Sequence, residues 1–332
     1  MTAPGLPPVR AATESPPAGD TAGSSPDPGR APVLAAGWTL GYGALQAWWA
    51  AGSTPAFGVL GTDLLVAPGW GAVAVCLSAA GCAAMHRWAP WHRAVALAGW
   101  AAAAVLALSS SLLLIDVVGR LLPGLGLPFD RTVCASRAAA LLGAVLLARS
   151  AFSYRRRRPG VCPKCLSSGL VHRRGDRLPS WARRAALAAV TACLVRVVAQ
   201  IPIGTTTSKG TSGVLFEAGF ALAGVALPLA LLRSWRREFP PRWPVIGGWP
   251  VVPVLLLPPA FAVSAGLVGY FGIGTVQLAT ETLTGTGSSD TGLPPAFFWV
   301  AMPAYVVWGT GLGAVALARY ARSRPHCPTC GH

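Results

Sequence analysis

Two cysteine pairs with the spacing Cys-Pro-x-Cys are the strongest chemical signal in the sequence. The first pair is Cys162 and Cys165, and the second is Cys327 and Cys330 near the end of the chain. Two thiolates three positions apart on a tight turn can face one ion, and four thiolates complete a tetrahedral zinc site. Each pair follows a hydrophobic segment, so the fold is expected to bring the pairs together. We therefore predict one structural zinc ion bound by all four cysteines.

The same spacing permits three other interpretations. Each pair could form its own knuckle, completed by His172 in the first case and by His326 or His332 in the second. One pair could instead be redox-active, because Cys-x-x-Cys can lower a thiol pKa, or the thiols could bind no metal. A reducing cytoplasm disfavours structural disulfides at this spacing. The other cysteines fall inside apolar segments at no ligand spacing and are interpreted as small core residues: Cys76, Cys82, Cys134 and Cys193.

Four charged residues inside hydrophobic segments form the second group of candidates. Arg196 and Glu217 fall in consecutive segments at similar depth, and so do Asp116 and Arg137. A charge at mid-helix costs about 2.5–3.5 kcal/mol on insertion scales, so such residues are functional candidates by default. The four charges sum to zero, which fits buried ion pairs that fasten helices together. The alternative is a polar pocket or a substrate path.

The composition places these residues in a membrane. Of the 332 residues, 53% are hydrophobic and 11% are charged, whereas ordinary soluble domains are about 25% charged. Runs of about twenty apolar residues cross a bilayer as helices, so we predict an all-α, polytopic membrane helix bundle. The segment 51–69 is broken by Gly and Pro and is interpreted as an outer loop that dips into the interface. The eight predicted membrane helices lie near residues 33–50, 70–86, 94–117, 132–150, 183–202, 213–233, 251–273 and 294–318.

The basic residues predict the orientation of these helices. The chain has 27 Lys and Arg against 11 Asp and Glu, a formal charge of +16. In a soluble protein that excess would indicate nucleic acid. Here the basic residues cluster in alternate connections, at 86–93, 149–184, 233–244 and the C-terminal tail, so the lipid bilayer is the expected partner and no nucleic acid is expected. The positive-inside rule then predicts a multi-pass protein of the plasma membrane with both termini in the cytoplasm.

The chain divides into two halves that end alike. Each half starts and ends on the cytoplasmic side, so a duplication would be parallel, and Gln46 can be aligned with Arg196. The cysteine pairs would then form a zinc-ribbon-like clip between the halves on the cytoplasmic face. The predicted units are a disordered tail at 1–31, a four-helix half at 32–150, a basic loop with one knuckle at 151–182, a second four-helix half at 183–320 and a tail with the other knuckle at 321–332.

In its multi-spanning plan and its CPxC ends, the chain resembles uncharacterised multi-spanning membrane proteins of G+C-rich, actinobacterium-like bacteria. The resemblance implies no activity. No H-E-x-x-H motif, P-loop or dinucleotide-binding glycine motif occurs, and all five histidines fall in predicted cytoplasmic segments. We therefore expect a non-enzymatic protein with a structural, regulatory or partner-binding role. The alternatives are a small-solute transporter with a path between the halves near Arg196 and Glu217, and a membrane redox enzyme that uses the CPxC thiols.

Overall fold

Every regular element in the described part of the chain is helical. The computed structural model describes residues 30–55, 57, 62–121, 129–159, 178–203, 210–233, 255–285 and 293–323. A π-helical turn at Trp49–Ser53 follows the first helix, and a 3-10 turn at Ile201–Ile203 follows the sixth. The α-helices are α1 (Arg30–Trp48), α2 (Trp70–Trp88), α3 (Arg93–Ser109), α4 (Leu113–Leu121), α5 (Arg131–Arg155), α6 (Ser180–Gln200), α7 (Gly210–Leu232), α8 (Leu257–Thr284) and α9 (Pro295–Ser323).

The chain is an integral membrane protein with several membrane-spanning helices. Five segments of the described chain are long and apolar enough to cross a bilayer. They include the broken helix formed by α3 and α4, which together cover 29 residues. The five segments are Arg93–Leu121, Arg131–Arg155, Gly213–Leu232, Leu257–Thr284 and Pro295–Arg322.

Each half of the chain has its own core, built largely from small side chains. Leu106 and Leu147 are fully buried where α1, α2, α3 and α5 meet. Trp308 and Leu312 of α9 occupy the corresponding region of the second half. Small residues let helix backbones approach closely, which is the main way in which helices associate in a bilayer. The buried alanines are Ala35, Ala72, Ala79, Ala83, Ala103, Ala140 and Ala144 in the first core and Ala186, Ala189, Ala192, Ala260 and Ala316 in the second.

Some helix contacts recur in the two halves and one does not. In the first half α1 packs on α2 and α5, and α3 packs on α5; in the second half α6 packs on α7 and α9, and α8 packs on α9. The first half also packs α2 on α3, whereas α7 and α8 of the second half make no comparable contact in the described residues. Between the halves, α3 and α4 contact α8, where Gly266 lies against Leu114 and Gly269 against Ser111.

The third predicted helix differs from the structure because it is broken in the middle. Sequence predicts one helix over 94–117, whereas α3 ends at Ser109 and α4 begins at Leu113. The Oγ atoms of Ser109 and Ser110 donate to the carbonyls of Val105 and Ala107, each at 2.8 Å. Side-chain hydroxyls that bond nearby carbonyls compete with helical hydrogen bonds, so three consecutive serines provide a local reason for the break.

The segment before α2 is partly buried, although the sequence predicts an outer loop there. Asp63 and Leu64 are each 2% exposed, and the Leu65 amide donates to the Ser109 carbonyl at 3.4 Å. The Ser109 hydroxyl in turn lies 3.1 Å from the Val66 carbonyl oxygen. The described residues of this segment therefore fill the space at the α3–α4 break. The backbone groups of Leu65 and Val66 are hydrogen-bonding partners of Ser109.

The prolines of α8 lie in its first turn. The sequence predicts a helix over 251–273, whereas α8 begins at Leu257 and extends to Thr284. Pro258 and Pro259 are tolerated in the first turn because their missing N–H groups would have no helical partner there. Gly285, with φ of 67°, ends the helix in the left-handed conformation. Pro303 lies inside α9.

Candidate functional site

Arg196 and Glu217 form a two-pronged ion pair in the second half. Arg196 Nη1 lies 2.6 Å from Glu217 Oε2, and Nη2 lies 3.1 Å from Oε1. The Arg196 side chain is 5% exposed and that of Glu217 is 13% exposed. The geometry places one charge near the end of α6 and its partner in the second turn of α7. The paired carboxylate and guanidinium neutralise each other where neither would be stable alone.

Aromatic rings complete the surroundings of Arg196. Its Nε donates to the Tyr305 hydroxyl of α9, so all three nitrogens of the guanidinium have partners. The Arg196 Cζ lies 5.2 Å from the Tyr305 ring centroid and 5.6 Å from that of Phe220, within the range of cation–π attraction. Tyr305 is itself stacked on Phe271 of α8 with centroids 3.7 Å apart. We call Arg196, Glu217 and Tyr305 the second cluster, because they lie in the second half. Its members come from α6, α7 and α9, and α8 contacts it through Phe271.

Arg137 and Asp116 form the buried ion pair of the first half. Arg137 Nη1 lies 2.8 Å and 2.7 Å from the two carboxylate oxygens of Asp116. The residues are 3% and 7% exposed. Arg137 Nε also donates to the main-chain carbonyl of Asp63 at 2.9 Å. This guanidinium therefore fastens the start of α5 both to α4 and to the segment before α2.

Asp63 is the centre of a ring of four buried side chains. Its Oδ2 accepts from Ser136 Oγ at 2.5 Å and from Gln46 Nε2 at 2.6 Å. Gln46 Nε2 lies 2.8 Å from the Tyr42 hydroxyl, which lies 2.8 Å from Ser136 Oγ. We call Tyr42, Gln46, Asp63 and Ser136 the Asp63 ring. Its members are between 1% and 6% exposed.

The structure thus brings together each of the two pairs that the sequence singled out, and it adds residues that sequence reasoning missed. Asp63 belongs to the segment 51–69, for which the sequence predicts an outer loop because it has no helical pattern that would place the residue inside. The signal that could have found its partners is the spacing of Tyr42 and Gln46, two polar side chains one helical turn apart in an apolar helix. Tyr305 gave no such signal.

Gln46 and Arg196, which can be aligned in sequence, each come three residues after a contact between a glycine and a cysteine. Three residues before Gln46, Gly43 faces Cys76 across the α1–α2 contact, with a Cβ at Gly43 falling 2.9 Å from the Cys76 Cβ. Three residues before Arg196, Cys193 faces Gly224 across the α6–α7 contact. Each contact therefore pairs one glycine with one cysteine, but on opposite helices.

His86 lies inside the bundle, which corrects its assignment to a cytoplasmic connection. It belongs to the last turn of α2 and is fully buried. Its Nδ1 lies 3.0 Å from Ser150 Oγ, and its ring is stacked on Tyr154 with centroids 4.7 Å apart. The Tyr154 hydroxyl donates to the Pro90 carbonyl at 2.5 Å. These contacts join the ends of α2 and α5, so the buried histidine is part of the packing at the basic end of the first half.

The four cysteines of the predicted zinc site lie outside the described residues. These are Cys162, Cys165, Cys327 and Cys330; the helices that precede the pairs end at Arg155 and Ser323. Within the described ranges there is no group of three or more His, Cys, Asp or Glu side chains arranged to hold a metal ion. The remaining cysteines are free thiols within helices, and Cys76 and Cys193 are buried, which agrees with their interpretation as small core residues.

Comparison of the chain with models of protein families, with curated proteins and with solved structures finds no significant match in any of the three. The fold and the buried clusters define the class of this protein. It is a helical integral membrane protein whose buried charges pair with one another.

Proposed function

We propose that this chain is a non-enzymatic, eight-span protein of the plasma membrane, with a structural, regulatory or partner-binding role and a structural zinc ion on its cytoplasmic face. The observation that carries the proposal is the pairing of each buried guanidinium with a carboxylate of its own half, Arg137 with Asp116 and Arg196 with Glu217. All three guanidinium nitrogens of Arg196 and two of those of Arg137 have partners within the bundle, which suits both groups to fastening helices. They are poorly placed to bind a substrate.

Eight spans are supported by the surfaces of the three remaining long helices, α1, α2 and α6. Each has 19 to 21 residues, close to the length that crosses a bilayer. Large apolar side chains are exposed from one end of each helix to the other. A water-soluble bundle rarely exposes such continuous apolar surface, whereas lipid requires it. The exposed residues are Val33, Leu34, Leu40 and Trp48 on α1, Trp70, Leu77, Met85 and Trp88 on α2, and Trp181, Leu187, Leu194 and Val198 on α6.

Cytoplasmic termini are supported by the basic ends of the helices. In the first half, Arg87 and Arg157 lie together at the ends of α2 and α5, where Arg157 Nη1 donates to the Arg87 carbonyl at 3.1 Å. The ion pair of Arg137 and Asp116 lies toward the opposite end of the same half. In the second half, the described basic residues at the helix ends likewise lie remote from the second cluster: Arg183, Arg184, Arg233, Arg319 and Arg322. Basic ends of this kind are retained in the cytoplasm.

The zinc proposal depends on the two Cys-Pro-x-Cys motifs and on their positions a few residues after the ends of α5 and α9. Cys162 comes seven residues after the end of α5, and Cys327 comes four residues after the end of α9. One ion bound by both pairs would tie the two halves at their cytoplasmic edge. Four thiolates with Zn²⁺ carry a net charge of −2, and the four consecutive arginines from Arg155 to Arg158 would help to keep the thiols ionised. Structural zinc contributes on the order of 10 kcal/mol to small zinc domains.

Metal content distinguishes this clip from its alternatives. The full chain, purified in detergent, should contain one zinc ion per chain, and both Cys165→Ser and Cys330→Ser should abolish it. Cys82→Ser, which changes a thiol inside α2, is the matched control and should retain the zinc. Two zinc ions per chain, with each motif variant losing one, would replace the clip by separate knuckles. Zinc-free protein with freely titrating motif thiols would overturn the metal proposal and favour a redox role.

A second candidate function, small-solute transport, is favoured by one observation. The Asp63 carboxyl is buried in a ring of polar side chains, of a kind that often lines the path of a transporter. Introducing a thiol by Tyr42→Cys tests it: a polar path predicts labelling by a membrane-impermeant thiol reagent, beyond that of the wild-type protein. A closed bundle predicts no additional labelling.

A further inference from the structure

We propose that the carboxyl group of Asp63 is a proton-binding site inside the membrane bundle, where Tyr42, Gln46 and Ser136 surround its Oδ2 atom. This assigns a ligand, the proton, to a residue outside the two ion pairs. The inference is independent of the zinc clip and of the number of spans. It depends on the charges and hydrogen bonds around Asp63.

The four contacts around the ring can each be given one hydrogen, while a longer contact of 3.3 Å crosses it from Gln46 Nε2 to Ser136 Oγ. Gln46 Nε2 has two hydrogens and donates them to the Tyr42 hydroxyl and to Asp63 Oδ2. The Tyr42 hydroxyl then donates to Ser136, and the Ser136 hydroxyl donates to Asp63 Oδ2. All four contacts around the ring have a hydrogen, and Oδ2 is an acceptor in each of its two. The ring also accommodates a protonated carboxyl group, because Oδ2 can then donate to Ser136 and the Ser136 hydroxyl to Tyr42.

The charges around Asp63 leave its ionised form without a matching cation. Among the described residues, Arg137 is the guanidinium that approaches it, and its Nη1 is paired with Asp116 while its Nε bonds the Asp63 carbonyl oxygen. Two carboxylates therefore share one guanidinium. An ionised carboxylate removed from water without a partner is strongly disfavoured. Binding a proton removes the excess charge.

The helices packed around Asp63 offer no second cation in the described part of the chain. Tyr42 and Gln46 face it from α1, and Ser136 from α5. Cys76 of α2 lies next to Gly43, one residue after Tyr42, and Ser109 of α3 contacts the backbone at Val66. These groups are neutral or become negative when they lose a proton. None of them can replace the proton as a counter-charge for Asp63.

The corresponding position in the second half shows what the missing charge does. Gln46 and Arg196 each donate to a carboxylate at 2.6 Å, Asp63 in one case and Glu217 in the other. Arg196 brings a positive charge to that contact, whereas Gln46 brings two hydrogen-bond donors and no charge. Glu217 is therefore compensated by its helix partner, and Asp63 is compensated by a proton.

Infrared difference spectroscopy of the full chain in lipid nanodiscs tests the site directly. The spectrum at acid pH minus that at alkaline pH should contain the C=O band of a protonated carboxyl group that is lost in Asp63→Asn. The matched control, Glu217→Gln, should retain that band. Tyr42→Phe should retain the band at a shifted frequency, because the variant removes one hydroxyl from the ring and leaves the Asp63 carboxyl group in place.

Three results would overturn the proposal. One is the absence of any such band in the wild-type protein over the pH range in which it stays folded, a measurement that requires no variant. The second is a spectrum of Asp63→Asn with the same carboxyl bands as the wild type. The third is a response of the wild-type spectrum to sodium at constant pH with no carboxyl band, which would make an alkali cation the ligand.

Discussion

Gln46 Nε2 and Arg196 Nη1 each lie 2.6 Å from the oxygen of a carboxylate that follows later in the same half. The carboxylate follows by 17 residues in the first half and by 21 in the second. The two contacts have the same length but differ in charge. A neutral amide faces Asp63, and a guanidinium faces Glu217. The consequences of removing each acid should therefore differ.

Asp63→Asn should be tolerated much better than Glu217→Gln. Neutralising Glu217 leaves the buried Arg196 without its counter-ion, and breaking a buried pair in this way costs about 3–5 kcal/mol. Neutralising Asp63 leaves no unpaired cation, and the amide oxygen can still accept from Gln46 and Ser136, so the loss should be about 1 kcal/mol. The free energy of unfolding in mixed micelles of SDS and mild detergent measures both. Equal losses would contradict the charge count around Asp63.

Removing both members of the second pair should harm the protein less than removing one. Arg196→Met combined with Glu217→Leu leaves apolar side chains of similar size, whereas Glu217→Leu alone leaves an unpaired guanidinium. Replacing a buried ion pair by apolar residues is often close to neutral. We therefore expect the double variant to have a thermal midpoint above that of Glu217→Leu. A double variant less stable than both single variants would indicate a role for these charges beyond fastening helices.

Reporter fusions should place all basic connections on one side of the membrane. Fusions after Arg158 and Arg324 should report the cytoplasm, and fusions near Lys209 and Asp290 should report the outside. The reason is the retention of arginine-rich connections on the cytoplasmic side. An external signal after Arg158 would invalidate the eight-span topology. Opposite signals after Arg158 and Arg324 would imply an odd number of crossings between them.

Gly99→Ala should destabilise the basic end of the first half. A Cβ at this position would lie 2.5 Å from His86 Cε1 and 2.8 Å from its Nε2, and the imidazole cannot retreat because Tyr154 is stacked on it. Overpacking of this kind costs about 1–3 kcal/mol. Gly81→Ala in α2 is the control, since nothing lies within 4 Å of its added Cβ. A loss of thermal stability in Gly81→Ala as large as that in Gly99→Ala would argue against a steric origin.

The helical class of the protein could be predicted from sequence because it depends on local composition. Long apolar segments and the alternating basic connections need no knowledge of tertiary contacts. The pairs of Arg196 with Glu217 and of Asp116 with Arg137 could be anticipated in the same way, because charges in apolar helices need partners at the same depth.

The Asp63 ring could not be predicted, because its members come from a loop segment, α1 and α5. Whether Asp63 lies at the surface or inside depends on how the residues before α2 fold against the α3–α4 break. The break itself depends on three serines whose hydroxyls can face either solvent or the helix backbone. Such outcomes are decided by packing between distant segments, which no local pattern records.

The glycine and cysteine at each of two helix crossings make the first helices of the halves non-interchangeable. Gly43 meets Cys76 in one half, and Cys193 meets Gly224 in the other. A hybrid in which α6 replaced α1 would bring two cysteines into a space that holds one, and the opposite exchange would leave two glycines and a void. Each first helix therefore fits only the second helix of its own half.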